Sequence, residues 1–254
     1  MTGSSSSPAP LSFVYHELWT SDPEGRVDFY RELFGWSIDR ETRTDGEFLR
    51  IRHGDVELAR IVPLDDGETP DRWNVFLAVP DLEAMRVRVE AASGDILIRE
   101  QNLPGLGLAS LLMDPQGGVF AATQLPAPIT AGAGPTSEGT FVWHDLLTPN
   151  LEESSRFYQR CWGVVSRSHS PETAHVHRLL RSEGVDMAGL LATQEDDHAA
   201  LWLPYVRVAD VVDTVEQATE AGGQVWLEPT EVDELGTFAV LSDPGRALFA
   251  VRNR

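Results

Sequence analysis

The chain repeats itself. Residues 14–36, VYHELWTSDPEGRVDFYRELFGW, are matched by residues 142–164, VWHDLLTPNLEESSRFYQRCWGV. His16 and His144, Tyr30 and Tyr158, and Gly35 and Gly163 are each 128 positions apart. Further along, WNVFLAV at 73–79 answers WLPYVRV at 202–208, and DPQGGVFAA at 114–122 answers DPGRALFAV at 243–251, now at an offset of 129. One residue was therefore inserted between the two blocks. A match of this length means one domain used twice in tandem, so any fold that suits only one half is excluded.

At 254 residues, the repeat divides the chain into two domains of about 115 residues, each long enough to bury its own core. A hydrophobic fraction of 42% and seven Trp suit a globular protein. Forty carboxylates against twenty Lys and Arg give a net charge of −20. That field repels phosphate, so nucleic acid and anionic membrane surfaces are not expected partners. The acid is dispersed and reads as a solubility feature. Cys161 is the one cysteine; no intramolecular disulfide is possible, which fits a reducing, cytoplasmic setting. It falls at the position of Leu33 in the first half and reads as a small core residue. No apolar run approaches the roughly 18 residues of a membrane span, and the opening MTGSSSSPAP has no basic segment and does not read as a secretory signal.

Punctuation gives the boundaries. Residues 1–10 read as a disordered tail, 11–125 as the first domain, the Pro-, Gly- and Ala-rich stretch at 126–139 as a linker, and 140–254 as the second domain. Within the first half, FVYHELWT (13–20) has strand character and ends at Ser21-Asp22-Pro23. Asp22 caps a helix with Pro23 at its first position; Val27, Tyr30 and Phe34 share one helix face, and Gly35 closes it. Short strands near 36–40, 48–53 and 57–62 complete a β-α-β-β-β unit. The pattern restarts at WNVFLAV, with a helix from Pro80-Asp81 to about Ser93, ended by Gly94, and strands near 96–100, 107–113 and 118–124. The second half repeats both units, with strands at 140–147 and 202–208 and helices at 150–161 and 210–221. The expected class is α+β, four βαβββ modules in all.

The combination of H-E-L-x-T-x-D-P, F-Y-x-x-L-F-G-W, V-x-D-L and D-P-x-G-x-x-F resembles the vicinal oxygen chelate superfamily, which holds glyoxalases, bleomycin-resistance proteins and extradiol dioxygenases. The second half departs slightly, with D-P-G-R where the first has D-P-Q-G. The resemblance covers 12–252 and is closest to a two-domain branch often labelled hydroxylase. It implies two glyoxalase-like domains, each an incompletely closed, barrel-like sheet around a cleft with helices outside. Metal-using members place ligands on the first and last strands of their modules. Carried across, those positions are Tyr15, Asn74 and Ala121 in the first half, and Trp143, Leu203 and Ala250 in the second. Neither set is a ligand set, so no metal and no cofactor is expected.

His16 and His144 lie one residue from the mapped position, and a one-residue slip of register would turn them into the cleft. In the preferred register they face the helices. His175 and His177, with His169 and His198, have no first-half counterpart and read as a solvated edge.

In that register Phe13, Tyr15 and Glu17 face the cleft, as do Phe141, Trp143 and Asp145. Glu17 and Asp145 are the candidate catalytic acid/base pair, since a cleft carboxylate beside apolar rings takes up a proton more readily. The other reading is that they bond backbone N–H groups. Tyr15, Trp73, Asn74, Trp143 and Trp202 are the candidate ligand-binding residues, Asn74 as a hydrogen-bonding group where relatives hold metal. Two functions stay open. One is a metal-independent protein, monomer or homodimer, that binds a small apolar or aromatic molecule. The other is an enzyme of lyase, isomerase or hydroxylase type working through Glu17 or Asp145. A divalent-metal enzyme of the same superfamily is the third and weaker reading.

Overall fold

The computed structural model describes residues 11–43, 46–64, 69–126, 137–169, 177–193, 199–232 and 236–254. The expected tail and most of the linker lie outside these residues, as do His175 and His198. The first module runs β1 (Ser12–Thr20), α1 (Pro23–Phe34), β2 (Ser37–Arg43), β3 (Gly46–His53) and β4 (Val56–Pro63); the second runs β5 (Arg72–Ala78), α2 (Leu82–Ala91), β6 (Asp95–Leu103), β7 (Gly107–Met113) and β8 (Val119–Gln124). The third is β9 (Phe141–Thr148), α3 (Leu151–Trp162), β10 (Val165–His169), β11 (His177–Ser182) and β12 (Val185–Ala192); the fourth is β13 (Leu201–Arg207), α4 (Val211–Glu220), β14 (Gln224–Val232), β15 (Gly236–Ser242) and β16 (Leu248–Arg252). The α+β class and the four βαβββ modules hold. Each half forms one eight-stranded sheet that does not close into a barrel. The orders are β2-β3-β4-β1-β5-β8-β7-β6 and β10-β11-β12-β9-β13-β16-β15-β14, the second being the first shifted by eight.

Local chemistry sets the helix ends. The Asp22 side chain accepts from the Gly25 N–H at 3.0 Å, and Asn150 does the same for Glu153 at 3.1 Å. Gly35 closes α1 with φ 65°, its N–H donating to the Arg31 carbonyl. A Cβ there would meet nothing within 4 Å, so Gly35→Ala tests the backbone alone. It is expected to cost about 1 kcal/mol in urea denaturation through the left-handed conformation; an unchanged midpoint would refute the cap. Helix α2 stops at Ala91, short of the expected Ser93, because Ser93 itself turns left-handed with φ 65° and Gly94 bonds back to Val89. A Cβ on Gly94 would sit 2.6 Å from the Met113 carbonyl, so the helix–strand approach requires glycine.

Packing divides the chain into two compact units that do not follow the two halves. One contains α2 with β6–β8 and α3 with β10–β12. In it Tyr158 donates to Asp114 at 2.7 Å, and Phe120, Tyr158 and Trp162 stack edge to face. Cys161 is buried here, its thiol pushed up to about 12 by burial, which makes it an inert core group. The other unit contains β1 from Val14, β2–β4 with α1, β5 as far as Phe76, β9 as far as His144, β13 from Trp202, and β14–β16 with α4. Its core joins Leu18, Tyr30, Phe34 and Trp73 from the first half to Val211 and Phe249 from the second. Tyr30 donates to Asp243 at 2.9 Å. The F-Y tyrosine of each half therefore bonds the Asp-Pro carboxylate of the other half.

Candidate functional site

Strand β1 separates two kinds of chemistry by its alternation. His16 and Leu18 pair in register with Ala59 and Ile61 of β4 and face the helix-side core. Tyr15, Glu17 and Trp19 occupy the opposite, inner face. The preferred register thus holds. His16 and His144 meet within the core, Nε2 to Nε2 at 2.8 Å, both buried, with His16 stacked on Phe141 at 3.6 Å. Burial pushes His16 down to about 3, the Leu58 backbone opposing; burial and then the neighbouring His16 hold His144 well below the usual imidazole range. Phe141, expected on the inner face, instead serves this core. It is the first residue of β9, and the cluster of His16, Trp36 and Trp73 offers it aromatic contacts.

On the inner face, Glu17 is held by three donors. The Nε and Nη2 of Arg60 both reach its Oε1 at 2.7 Å, and the Trp19 indole N–H reaches its Oε2 at 2.8 Å. Register explains the pair, since Glu17 lies directly beside Arg60. The Arg60 guanidinium lies over the Phe48 ring at 4.8 Å. Across β1, Arg72 of β5 lies over the Trp19 ring at 5.2 Å, and its Nε donates to the Asn74 Oδ1 at 3.2 Å. Tyr15 donates to Glu57 at 2.8 Å and meets the Phe76 ring edge-on at 5.8 Å. Burial, and then the Glu57 charge, push its hydroxyl far above the usual tyrosine range.

Of the other candidates, Trp73 sits on the helix side of β5, its indole N–H donating to the Tyr30 hydroxyl at 3.0 Å. It is therefore on the face opposite Asn74 and packs in the core. Trp143 is half-buried, and Asp145 and Trp202 are buried. The second half does not reproduce the inner-face ladder. Where Arg60 flanks Glu17, Gly189 flanks Asp145. The positions of Trp19, Arg72 and Asn74 carry Leu147, Leu201 and Leu203. Arg60, Arg72, Trp19 and Glu57 were not singled out in the sequence; Trp19 alone was accessible, by the parity it shares with Tyr15 and Glu17.

A family-type metal does not fit these residues. The Tyr15 hydroxyl is committed to Glu57, the Asn74 oxygen to Arg72, and Ala121 offers no donor atom. Trp143, Leu203 and Ala250 offer no metal ligand in the second half. Among the described residues no group of three or more His, Cys, Asp or Glu converges as a metal site.

Comparison with known proteins places the chain. The family model described as Glyoxalase/Bleomycin resistance protein/Dioxygenase superfamily matches residues 12–121. CFP32 of Mycobacterium tuberculosis, provisionally described as a glyoxylase, is 30% identical over 242 residues, 92% of this chain and 92% of its own. DauV of a Streptomyces species, an anthracycline biosynthesis protein, is 26% identical over 264 residues, covering 96% and 93%. The Mn(II)-bound glyoxalase from Novosphingobium aromaticivorans superposes with a TM-score of 0.65 at 15% identity, over 96% of this chain and 82% of that one. At that identity the likeness speaks for the fold alone. Among the described residues no helix is long and apolar enough to cross a membrane.

Proposed function

The chain belongs to the glyoxalase/bleomycin resistance protein/dioxygenase superfamily, and on that premise we propose that it is a metal-independent, cytoplasmic binder of a small apolar or aromatic molecule, held on the inner face of the first sheet. The observation that carries this reading is the contrast between the halves. The first half keeps Tyr15, Trp19, Phe48 and Phe76 around a polar ladder, whereas the second has Gly189 at the Arg60 position and leucines at those of Trp19, Arg72 and Asn74. The ladder is neutralised from within, since the Glu17 and Arg60 charges cancel at 2.7 Å. A face of aromatic rings with internally compensated charge favours a neutral, planar ligand over an ion. A relative named for anthracycline biosynthesis is in keeping with an aromatic ligand.

The acid–base reading of Glu17 is less well supported. Both its oxygens accept N–H bonds, and taking a proton would break a buried ion pair. Glu17→Gln should therefore act on stability, lowering it by about 2–3 kcal/mol because the buried ion pair with Arg60 is broken. A stable Glu17→Gln protein that binds ligand but has lost turnover would favour the enzyme instead.

Titration with the fluorescent probe 1-aminoanthracene tests the binding reading. One saturable site per chain is expected, weakened about tenfold by Trp19→Ala and unchanged after dialysis against EDTA. Binding lost with EDTA and restored by Mn(II) would sink metal independence; no saturable site would sink the reading itself.

A further inference from the structure

We infer that the side-chain amide of Asn74 is the donor that holds a carbonyl oxygen of an aryl ketone or quinone on this inner face, an inference that rests on the reading of the face as a ligand site. Asn74 is 1% exposed and its two amide atoms fare differently. Its Oδ1 accepts from the Nε of Arg72 at 3.2 Å. An arginine side chain only donates, so the amide cannot be flipped: the oxygen faces Arg72 and the nitrogen faces away. That nitrogen, Nδ2, is buried and has no hydrogen-bond partner. A buried donor without an acceptor is among the costlier defects a fold can carry, and buried polar groups in stable proteins are almost always paired. Such a local violation is typical of positions that serve binding rather than folding.

The surroundings define what would complete it. Asn74 shares its strand face with Arg72 and Phe76, and Phe76 meets Tyr15 edge-on at 5.8 Å. Phe76 has no polar atom, and the Tyr15 hydroxyl is already donating to Glu57. The missing partner is thus a single acceptor oxygen carried on an apolar, planar body. Arg72 and Trp19, a stacked pair beside Asn74, are only half-buried. The equivalent residue in the second half is Leu203, which has no donor, so the assignment is to the first half only.

Displacement of 1-aminoanthracene by a matched pair, 1-acetylnaphthalene and 1-ethylnaphthalene, tests this. The two differ in the carbonyl and hardly in size. The protein should prefer the ketone by about tenfold. Asn74→Leu should abolish that preference by weakening the ketone alone, with 1-ethylnaphthalene unchanged within about twofold. Asn74→Asp, which keeps the shape and offers no donor when ionised, should do the same and covers the case in which the leucine variant does not fold. Equal affinity for both compounds in the unmodified protein, or a preference that survives in either variant, overturns the assignment while leaving the ligand site standing. If neither compound displaces the probe, the ligand-site reading fails and the assignment with it.

Discussion

Asp243→Ala is expected to destabilise the protein by about 3–5 kcal/mol, a large share of the stability a domain of this size has. The carboxylate is fully buried and accepts from three donors: the Tyr30 hydroxyl, and the backbone N–H groups of Gly245 and Ala247, each at 2.9 Å. Arg26 lies 3.9 Å away with its side chain 10% exposed. Alanine leaves these donors buried and without their acceptor. Asp243→Asn keeps one acceptor oxygen and should lose only about half as much. Tyr30→Phe should lose about 1–2 kcal/mol, and the Tyr30→Phe/Asp243→Ala double variant less than the sum, because the two share one bond. Urea denaturation followed by tryptophan fluorescence measures all of these. A loss under about 1 kcal/mol for Asp243→Ala would show that the Asp-Pro turn closes without its carboxylate.

The same bond shows where sequence reading stops. Both Tyr30 and Asp243 stand in motifs that the repeat exposes, and so do Tyr158 and Asp114. What the repeat does not expose is that each tyrosine finds the carboxylate of the other half, across separations of 213 and 44 residues. Helix caps at Asp22 and Gly35 are legible because their partners lie within a turn. The alternation of β1 is legible too, and it rightly put Tyr15 and Glu17 on one face and His16 on the other.

Arg60 was not legible beside Glu17. It is 43 residues away, and its position depends on the register of β4 along β1, which follows a bulge between Ile51 and Arg52. Trp73 and Asn74 both stand among the candidate ligand-binding residues, Asn74 because relatives hold metal at its position. Neighbours on a strand face opposite ways, and the Tyr30 hydroxyl claims Trp73 for the core. The repeat alone does not show how the paired carboxylates differ: Glu17 and Asp145 are equivalent in sequence but flanked by Arg60 and Gly189.

The His16–His144 pair should make the protein sensitive to mild acid. A hydrogen bond between two Nε2 atoms needs one ring whose Nε2 carries no proton, and burial favours the neutral form of both rings. Unfolded, each takes a proton near pH 6.5; folded, His16 does so only near 3, and His144 also well below its ordinary value. Between these limits the unfolded chain binds more protons, so stability falls as the pH falls. The contribution is intact above about pH 6.5; for His16 it is lost at about 1.4 kcal/mol per pH unit, or about 2 kcal/mol by pH 5, and His144 adds a loss in the same direction. Asp114 and Asp243 run the other way: burial raises both, so acidification favours the folded state between their raised values and the unfolded 3.8. Urea midpoints at pH 8 and pH 5 test this against the His16→Gln/His144→Gln variant, whose amides can still bond each other but do not titrate. The unmodified protein should lose most of its midpoint over that range and the variant much less. Equal losses in the two would place the acid sensitivity elsewhere in the chain.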